Sequence, residues 1–328
     1  NAAAGHDTIQ FEISGNGVHT LLLSSSPPLI TGPVTIDATT EDDYAGVPRV
    51  ELNGTGFSTN GLWFTVDSGG SIVRGMALTF WQSGIEAQSG TTLVLQNNYI
   101  GINPGDGSTA RANFTGIALL GGSNHAVNGN LISGNTTAGL RLQDVTGATV
   151  RGNRIGTNAD GTAARGNGSG GLGSGIEIAP TTAVGASGIV IGGSGAGQGN
   201  LISGNTRSGI DIGPSVGRTV DDTTIEGNLI GTDAIGGAAI PNAWHGVHIR
   251  GAGNGSIGPT MDTAIGGTGA GEGNTIAFNG RDGVAIDTNS PDPENLRNSI
   301  RGNSIHSNDT PLGVHDLGID LGPTAVTA

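Results

Sequence analysis

Apolar residues in this chain fall in very short runs that alternate with polar and glycine-rich positions. Between Asn130 and Asn153 three such runs occur, LIS, GLRLQ and ATVRG. Each run has the length of a β-strand and is separated from the next by Gly, Asn or Thr. No stretch shows the 3.6-residue period of an amphipathic helix. The pattern therefore predicts short strands, three to a unit of 23 residues.

Two sequence marks repeat along the chain and alternate with each other from Asn98 onward. The first is Asn-x-Ile, at Asn98, Asn130, Asn153, Asn200, Asn228, Asn274 and Asn303. The second is Gly followed by an aliphatic residue, at Gly61, Gly84, Gly116, Gly139, Gly175, Gly209, Gly246, Gly283 and Gly318. Strands too short to bury a face alone must stack on their copies. We therefore expect an all-β solenoid, a single-stranded parallel β-helix with three short strands per coil and about nine to eleven coils.

The coils are expected to form one domain over residues 1–328. Residues 1–60 would supply N-terminal strands and the first coils, and residues 61–328 the repeated coils with loop insertions. The C-terminal GVHDLGIDLGPTAVTA finishes on a predicted strand with no evident cap, and an open coil edge invites pairing. We expect the natural product to continue as part of a longer multidomain chain.

Loop insertions follow the first mark on every second coil. They are IGINPGDGSTARAN (Ile100–Asn113), IGTNADGTAARGN (Ile155–Asn167) and IGTDAIGGAAIPN (Ile230–Asn242). A second insertion with the same two-coil rhythm is IGGSGAGQGN (Ile191–Asn200) and IGGTGAGEGN (Ile265–Asn274). A protruding loop is thicker than one strand spacing of about 4.8 Å, so neighbouring coils cannot both carry one at the same corner.

The phrase GNLISGN occurs twice, at Gly129–Asn135 and at Gly199–Asn205. Asn tolerates left-handed backbone and can hydrogen-bond its own turn, and Gly supplies further positive φ angles. Asparagines stacked in register also form ladders. The phrase is therefore interpreted as a coil corner.

The amino-acid composition limits the kinds of partner and chemistry that this chain can have. The chain has 63 glycines and 3% aromatic residues, and 27 acidic residues outweigh 13 arginines, for a net charge of −14. Such a charge repels a phosphate backbone, so nucleic acid is not expected. There is no cysteine and no lysine, which excludes disulfides, thiolate metal sites and Schiff-base chemistry. No run of about 18 apolar residues predicts a membrane span.

Five phrases in the chain, DTIQFEI, PPLITGPVTIDATT, VELNGTG, GNLIGTDAIGGAAIPN and IGGTGAGEGN, resemble the right-handed parallel β-helix repeats of large bacterial secreted and surface proteins. Those repeats belong to the pectate-lyase-like β-helix superfamily, and some follow an LREA-type motif that this chain does not contain. The resemblance covers essentially the whole chain. It implies a right-handed coil, a location that is secreted or at the bacterial cell surface, and a polysaccharide or cell-surface glycan as partner.

One outward column of side chains carries the candidate chemistry. In a Gly-Ile-x-Ile strand both aliphatic residues point inward and x points outward. Successive x positions are Glu86, Ala118, Arg141, Glu177, Asp211, His248, Ala285 and Asp320. The predicted catalytic residues are Glu177, Asp211 and His248, and the predicted substrate-binding residues are Arg141, Trp244, Arg250 and Asp287.

The reasoning rests on two carboxylates on neighbouring rungs. Glu177 and Asp211 would lie about 5 Å apart, the separation of a retaining glycosidase, and repulsion would raise one pKa. Trp244, four residues before His248, would stack on a sugar or else pack the base of its loop. The same row, with charges of both signs, is also what a solvated strand face looks like.

Whether the chain is an enzyme stays open at this stage. The ionisable row favours a glycoside hydrolase acting on a neutral glycan. A polysaccharide lyase needs cations or Ca²⁺ to hold a polyanion, which net charge −14 opposes. The alternative from another class is a structural or adhesive solenoid without catalysis. The turns NADGT, NPGDG and TDAIG could bind Ca²⁺, but turn chemistry explains them more simply, and no metal site is predicted.

Overall fold

The computed structural model describes residues 5–169, 171, 173–215, 217–250, 258–287, 295–308 and 318–321. Its strands form three main parallel sheets of ten, ten and nine strands and a small sheet of three. Each turn of the chain adds one strand to each main sheet, as expected for a β-helix of about ten coils. The predicted all-β, parallel solenoid is confirmed.

Sheet I consists of Asp7–Gln10, Val34–Asp37, Ser71–Arg74, Leu93–Gln96, Ala126–Asn128, Thr149–Arg151, Val190–Gly192, Thr224–Glu226, Ala264–Gly266 and Ser299–Arg301. Sheet II consists of His19–Leu22, Val50–Asn53, Met76–Thr79, Tyr99–Ile100, Leu131–Ile132, Arg154–Ile155, Leu201–Ile202, Leu229–Ile230, Thr275–Ala277 and Ser304–His306.

Sheet III consists of Leu62–Phe64, Ser83–Gln88, Thr115–Leu120, Leu140–Gln143, Ile176–Ile178, Ile210–Ile212, Val247–Ile249, Val284–Ile286 and Ile319–Asp320. The small sheet consists of Ala186–Ser187, Val220–Asp221 and Thr260–Met261. Two 3₁₀ turns are present, Ala38–Thr40 and Val66–Ser68. No helix among the described residues is long and apolar enough to cross a bilayer.

The core is a column of aliphatic side chains inside the coils. In sheet II the strands from Tyr99–Ile100 onward each contribute one isoleucine, and Ile132, Ile155, Ile202 and Ile230 stack in register with no exposed surface. Each rung thus buries its apolar residues against identical residues above and below, which is the packing that a single short strand cannot achieve. A narrow interior filled by Ile, Leu and Val explains why so few aromatic residues are needed.

Two buried asparagine ladders run along the corners on either side of sheet II. The first contains Asn98, Asn130, Asn153, Asn200, Asn228, Asn274 and Asn303. The second contains Asn113, Asn135, Asn167, Asn205, Asn242, Asn279 and Asn308. The repeated GNLISGN phrase therefore supplies one rung to each ladder, and the ladder expected from the sequence is confirmed.

The backbone explanation for these asparagines needs a correction. The left-handed conformation belongs to the residue before the first ladder, with φ of 54° at Asn97, 66° at Gly129 and 63° at Gly152. The ladder asparagine itself turns its amide group inward. The buried corner carbonyls need a donor there, and the amide supplies it.

The alternating loops stack on one another, two rungs apart. Each loop after sheet II is closed by an antiparallel bridge, as between Thr157 and Ala164. The Ala159 N–H donates to Gly107 O at 2.8 Å, and the Ala234 N–H donates to Gly161 O at 3.0 Å. A loop therefore fills the thickness of two rungs, as the steric argument predicts.

Candidate functional site

The outward column of sheet III has the register predicted from the sequence. Its paired positions run Trp63, Glu86, Ala118, Arg141, Glu177, Asp211, His248, Ala285 and Asp320. Glu177 and Asp211 therefore occupy neighbouring rungs, and His248 lies on the next. This column brings together the three residues predicted to be catalytic.

Glu177 forms an ion pair with the residue on the rung before it. Arg141 donates from Nε at 3.2 Å and from a terminal nitrogen at 3.1 Å to Oε2 of Glu177. The Ser174 N–H donates to the other carboxylate oxygen at 3.4 Å. The Glu177 side chain is 13% exposed. Arg141, predicted to bind substrate, is thus placed where it holds this carboxylate.

Asp211 is the more deeply buried carboxylate of the column, and its side chain is 3% exposed. Arg250 Nε lies 2.6 Å from Oδ1, and His248 Nδ1 lies 3.8 Å from Oδ2. Burial alone would raise the pKa of Asp211, but the contact with His248 and the positive charge of Arg250 outweigh burial and lower the pKa below its ordinary value. Asp211 therefore stays ionised.

His248 lies between two carboxylates. Nε2 is 3.0 Å from Oδ2 of Asp287, and Nδ1 faces Asp211 on the other side. Burial disfavours the imidazolium, but the contacts with Asp211 and then Asp287 prevail and raise the pKa of His248 to about 9. His248 thus carries its proton at neutral pH.

The charge distribution differs from the one expected for a carboxylate pair. Repulsion between Glu177 and Asp211 was expected to raise one carboxyl pKa, yet the pKa of Asp211 falls because the contact with His248 and the positive charge of Arg250 favour its ionised form. The proton of this cluster is on His248 instead. The spacing of the repeats predicts the rung of each carboxylate correctly, but it does not reveal that each one has its own arginine partner.

Trp244 is sandwiched rather than open. The guanidinium carbons of Arg207 and Arg281 each lie 4.4 Å from its ring centre. Backbone hydrogen bonds place Arg207 one rung before Trp244 and Arg281 one rung after it, so the two cations cover opposite faces. Sugar stacking at Trp244 would require one arginine to move.

A second imidazole accompanies His248, and it was not among the predicted site residues. His245 Nδ1 lies 3.0 Å from Oδ2 of Asp282, and its ring centre is 4.7 Å from that of His248. Aligning the corners NTRSGIDI, NAWHGVHI and NGRDGVAI puts His245 and Asp282 in one column. That alignment could have revealed the pair, as it could the Arg207, Trp244 and Arg281 stack.

Within the described ranges, no group of three or more His, Asp or Glu side chains is placed to hold a metal ion. The acidic turns use their oxygens locally. Asp106 Oδ1 accepts the N–H groups of Ser108 and Thr109, each at 2.8 Å. The hydrogen bond from the Thr109 hydroxyl, followed by these backbone bonds, lowers the pKa of Asp106 to about 2. Turn chemistry thus accounts for this loop.

The chain was compared with protein families, curated sequences and solved structures. Residues 51–184 match the model of the family described as right handed beta helix region. No curated protein sequence matches the chain. Among solved structures, the Dettilon tailspike protein gp208 is 16% identical, with a TM-score of 0.43 over 90% of this chain and 54% of that one, so the chain spans about half the tailspike's length.

Two further solved structures are similar over nearly the whole chain. The A-module of the mannuronan C-5 epimerase AlgE4 from Azotobacter vinelandii is 14% identical, with a TM-score of 0.37 over 97% of this chain and 91% of that one. The Streptococcus pneumoniae surface protein and adhesin PfbA is 10% identical, with a TM-score of 0.33 over 96% and 90%. The three stacked parallel sheets show that this chain folds as a parallel β-helix, and the match over residues 51–184 agrees with a right-handed coil.

Proposed function

We propose that this protein acts on a polysaccharide at the outer face of sheet III and that the reaction is hydrolysis of a glycosidic bond. The observation that carries the proposal is the buried, protonated His248 between Asp211 and Asp287, with Arg250 beside it. Buried charges are costly to fold around. A strand face that only needs to stay solvated has no use for a proton held in this way.

The face suits a linear polymer. Four consecutive rungs present Arg141, Glu177, Asp211 and His248 in register, so ionisable groups extend along the solenoid axis. An extended glycan lying along that axis would contact Arg141 and Glu177 and would reach His248 past the buried Asp211. The resemblance of the repeats to bacterial secreted and surface proteins supports a setting outside the cell, secreted or at the cell surface.

The proposed reaction assigns one role to each side chain. His248 gives its proton to the glycosidic oxygen as the bond to the anomeric carbon breaks, and Asp211 stays ionised to hold the imidazole in place. Glu177 takes a proton from the water that attacks the anomeric carbon. Glu177 and His248 are two rungs apart, about 9.6 Å along the stack, which is at the upper limit of the separation between the acid and the base in inverting enzymes and leaves room for water.

Substrate entry needs one local movement. The Asp287 carboxylate contacts Nε2 of His248, the atom that would face the substrate, and the Asp287 side chain is 38% exposed. An exposed carboxylate can swing away into solvent, which frees Nε2 to face a glycosidic oxygen. Arg141, Arg250 and Trp244 line the surroundings of this step and remain the proposed substrate-binding residues.

A second function is favoured by one observation. The Trp244 ring is covered on both faces, and Glu177 and Asp211 each have an arginine partner. A rigid solenoid that binds a cell-surface glycan without cutting it would have such a fully paired face.

Product release from a panel of polysaccharides, with and without chelator, tests the proposal. We expect new reducing ends with the wild type and a loss of about 100-fold or more with Glu177→Gln or His248→Gln. Glu86→Gln, on the same column three rungs from Glu177, is the matched control and should keep full activity. Thermal unfolding of Glu177→Gln should match the wild type.

The outcomes separate the alternatives. Equal activity in the wild type and both variants would remove the assigned roles. Unsaturated products without hydrolysis would replace hydrolysis by elimination. Glycan binding that yields no product, and that His248→Gln leaves intact, would favour the non-catalytic solenoid.

A further inference from the structure

A second concave surface lies away from sheet III, along the corner between sheets I and II. Its floor consists of the residues that precede the first asparagine ladder, Asn97, Gly129 and Gly152. The loop around Gly193–Gly199 forms one wall, and Ala159 and Ala234 from the stacked loops form the other. We call this surface the corner groove. Its two larger sections enclose about 560 and about 500 Å³.

The groove stays open because two of its three floor residues, Gly129 and Gly152, have no side chain where the chain turns. Gly152 has φ of 63°, and a Cβ atom there would lie 2.8 Å from the Gly197 carbonyl oxygen. Any other residue would be strained and would fill the space. The loops that wall the groove occur on alternate coils, so the coils between them leave the floor open.

The corner groove crosses several rungs. Its lining includes Tyr99, Leu131, Arg154, Leu201 and Leu229, which are successive positions on sheet II. Four strand spacings correspond to about 19 Å. The groove is therefore long enough for a short oligomer and too open for a single small molecule to fill.

Two arginines place positive charge on the corner groove. Arg151 and Arg154 both line it, on either side of Gly152. In the described part of the chain neither has a carboxylate oxygen within 4.0 Å, whereas six other arginines do. In a chain with 27 acidic and 13 basic residues, two cations without ion pairs on one groove form a local site for anions.

The section of the groove that Arg151 lines is otherwise built from neutral hydrogen-bonding side chains. Gln96, Asn128 and Thr149 line the same section as Arg151. Amides and a hydroxyl both donate and accept, which matches the hydroxyl groups of a sugar. Arg151 Nε donates to Gly192 O at 3.2 Å, which fixes its stem while its terminal nitrogens stay available to a ligand.

We infer that the corner groove binds an acidic oligosaccharide, with Arg151 and Arg154 recognising sugar carboxylates and the amide-lined section recognising hydroxyl groups. This site is separate from the sheet III face and does not depend on the reaction proposed there. It would let the protein hold an acidic glycan at one corner whatever happens at the other surface.

Calorimetric titration with a galacturonate hexamer tests the inference, and a neutral maltohexaose serves as the comparison ligand. We expect binding of the acidic oligomer only, weakened by added salt. Arg151→Gln with Arg154→Gln should weaken binding about tenfold or more. The matched control is Arg218→Gln, which removes the same charge from an arginine whose Nε also donates to a backbone carbonyl, Thr181 O at 3.1 Å.

A second variant keeps the test independent of the arginines. Ala196 is exposed and lines the groove wall, so Ala196→Trp should fold normally and obstruct the ligand without changing charge. Loss of binding in this variant and in the double arginine variant, with wild-type binding in Arg218→Gln, supports the site. The inference would be overturned if the wild type bound the neutral oligomer or a single-stranded oligonucleotide as tightly as the acidic oligomer. It would also be overturned if the double arginine variant bound the acidic oligomer as tightly as the wild type.

Discussion

At the scale of single residues, the charged groups of sheet III are governed by the rungs next to them. Asp211 is 2% exposed and His248 is 7% exposed, so both interact where water screens little. The imidazolium is retained because Asp211 and Asp287 flank it, and Asp211 is retained as an anion because Arg250 and His248 face it. The protonated state of His248 and the ionised state of Asp211 therefore both depend on the charged side chains beside them.

The raised pKa of His248 makes stability depend on pH in a defined direction. The folded pKa of about 9 lies above the ordinary value of 6.5, so protonation stabilises the fold fully below about pH 6.5. That contribution, about 3 kcal/mol, is lost as pH rises through 9. We expect the wild type to lose more unfolding free energy than His248→Gln between pH 7 and 10 in denaturant titrations.

Nuclear magnetic resonance provides a direct reading of the same group. The ring C–H signals of His248 should titrate with a midpoint near 9. His306→Gln, which removes an exposed imidazole, should keep the wild-type pH dependence of unfolding. A His248 midpoint near 6.5 would show that the two carboxylates do not hold the proton.

At the scale of elements, the asparagine ladders fix the corners. Asn153 donates from N and Nδ2 to Asn200 Oδ1, both at 2.9 Å, and from Nδ2 to Val127 O at 2.8 Å. Its own Oδ1 accepts from Asn130 N and Nδ2 at 2.8 and 3.0 Å. One side chain therefore joins three coils and satisfies backbone groups that are out of reach of water.

Removing one rung of the ladder should be costly. Asn153→Ala leaves the Asn130 N–H and the Val127 carbonyl without partners in a buried corner, which should destabilise the fold by about 3 kcal/mol. The midpoint of thermal or denaturant unfolding measures this loss. Asn16→Ala, at an exposed asparagine, is the control and should change stability by less than about 0.5 kcal/mol. Similar midpoints for the two variants would mean that the ladder bonds add nothing.

At the scale of the whole molecule, the fold has an inner stack of coils and an outer layer of loops. The coils repeat at every rung, whereas the loops repeat at every second rung. The outer layer covers corners that carry no loop of their own. A Cβ atom built on Gly204 would lie 2.9 Å from the Ala164 side chain and 2.6 Å from the Gly156 carbonyl oxygen. The space above the Gly204 corner is thus already occupied by the loop of the preceding coil.

The explanation that each loop fills the thickness of two rungs can be tested by inserting an extra loop. A copy of the 158–165 loop placed at Gly204 should lower the unfolding temperature strongly or prevent folding, because it would collide with the loop already there. The same segment inserted at Gly236, on the exposed tip of the 233–240 loop, should be tolerated. Circular dichroism melting curves of the two proteins give the comparison. Equal melting temperatures would contradict the steric account of the alternation.

The repeat marks determined much of this architecture. An inward aliphatic residue on every rung leaves one register in which all of them are buried, so counting Gly-aliphatic marks was enough to place Glu177, Asp211 and His248 on consecutive rungs. The alternation of loops followed from their thickness, and the ladders followed from the spacing of Asn. These properties depend on neighbours that are copies of the same local sequence.

The tertiary structure alone decided how the charges pair and where the surface is concave. Whether Asp211 faces Glu177 or Arg250 depends on side-chain directions on three coils at once, and the lowered pKa follows from that choice. The corner groove depends on two loops of different coils rising on either side of Gly152. Sequence periodicity determines which residues occupy matching positions on neighbouring rungs. The burial of a side chain and its choice of partner arise only when unlike segments pack together, because each coil then contacts side chains that its own sequence does not contain.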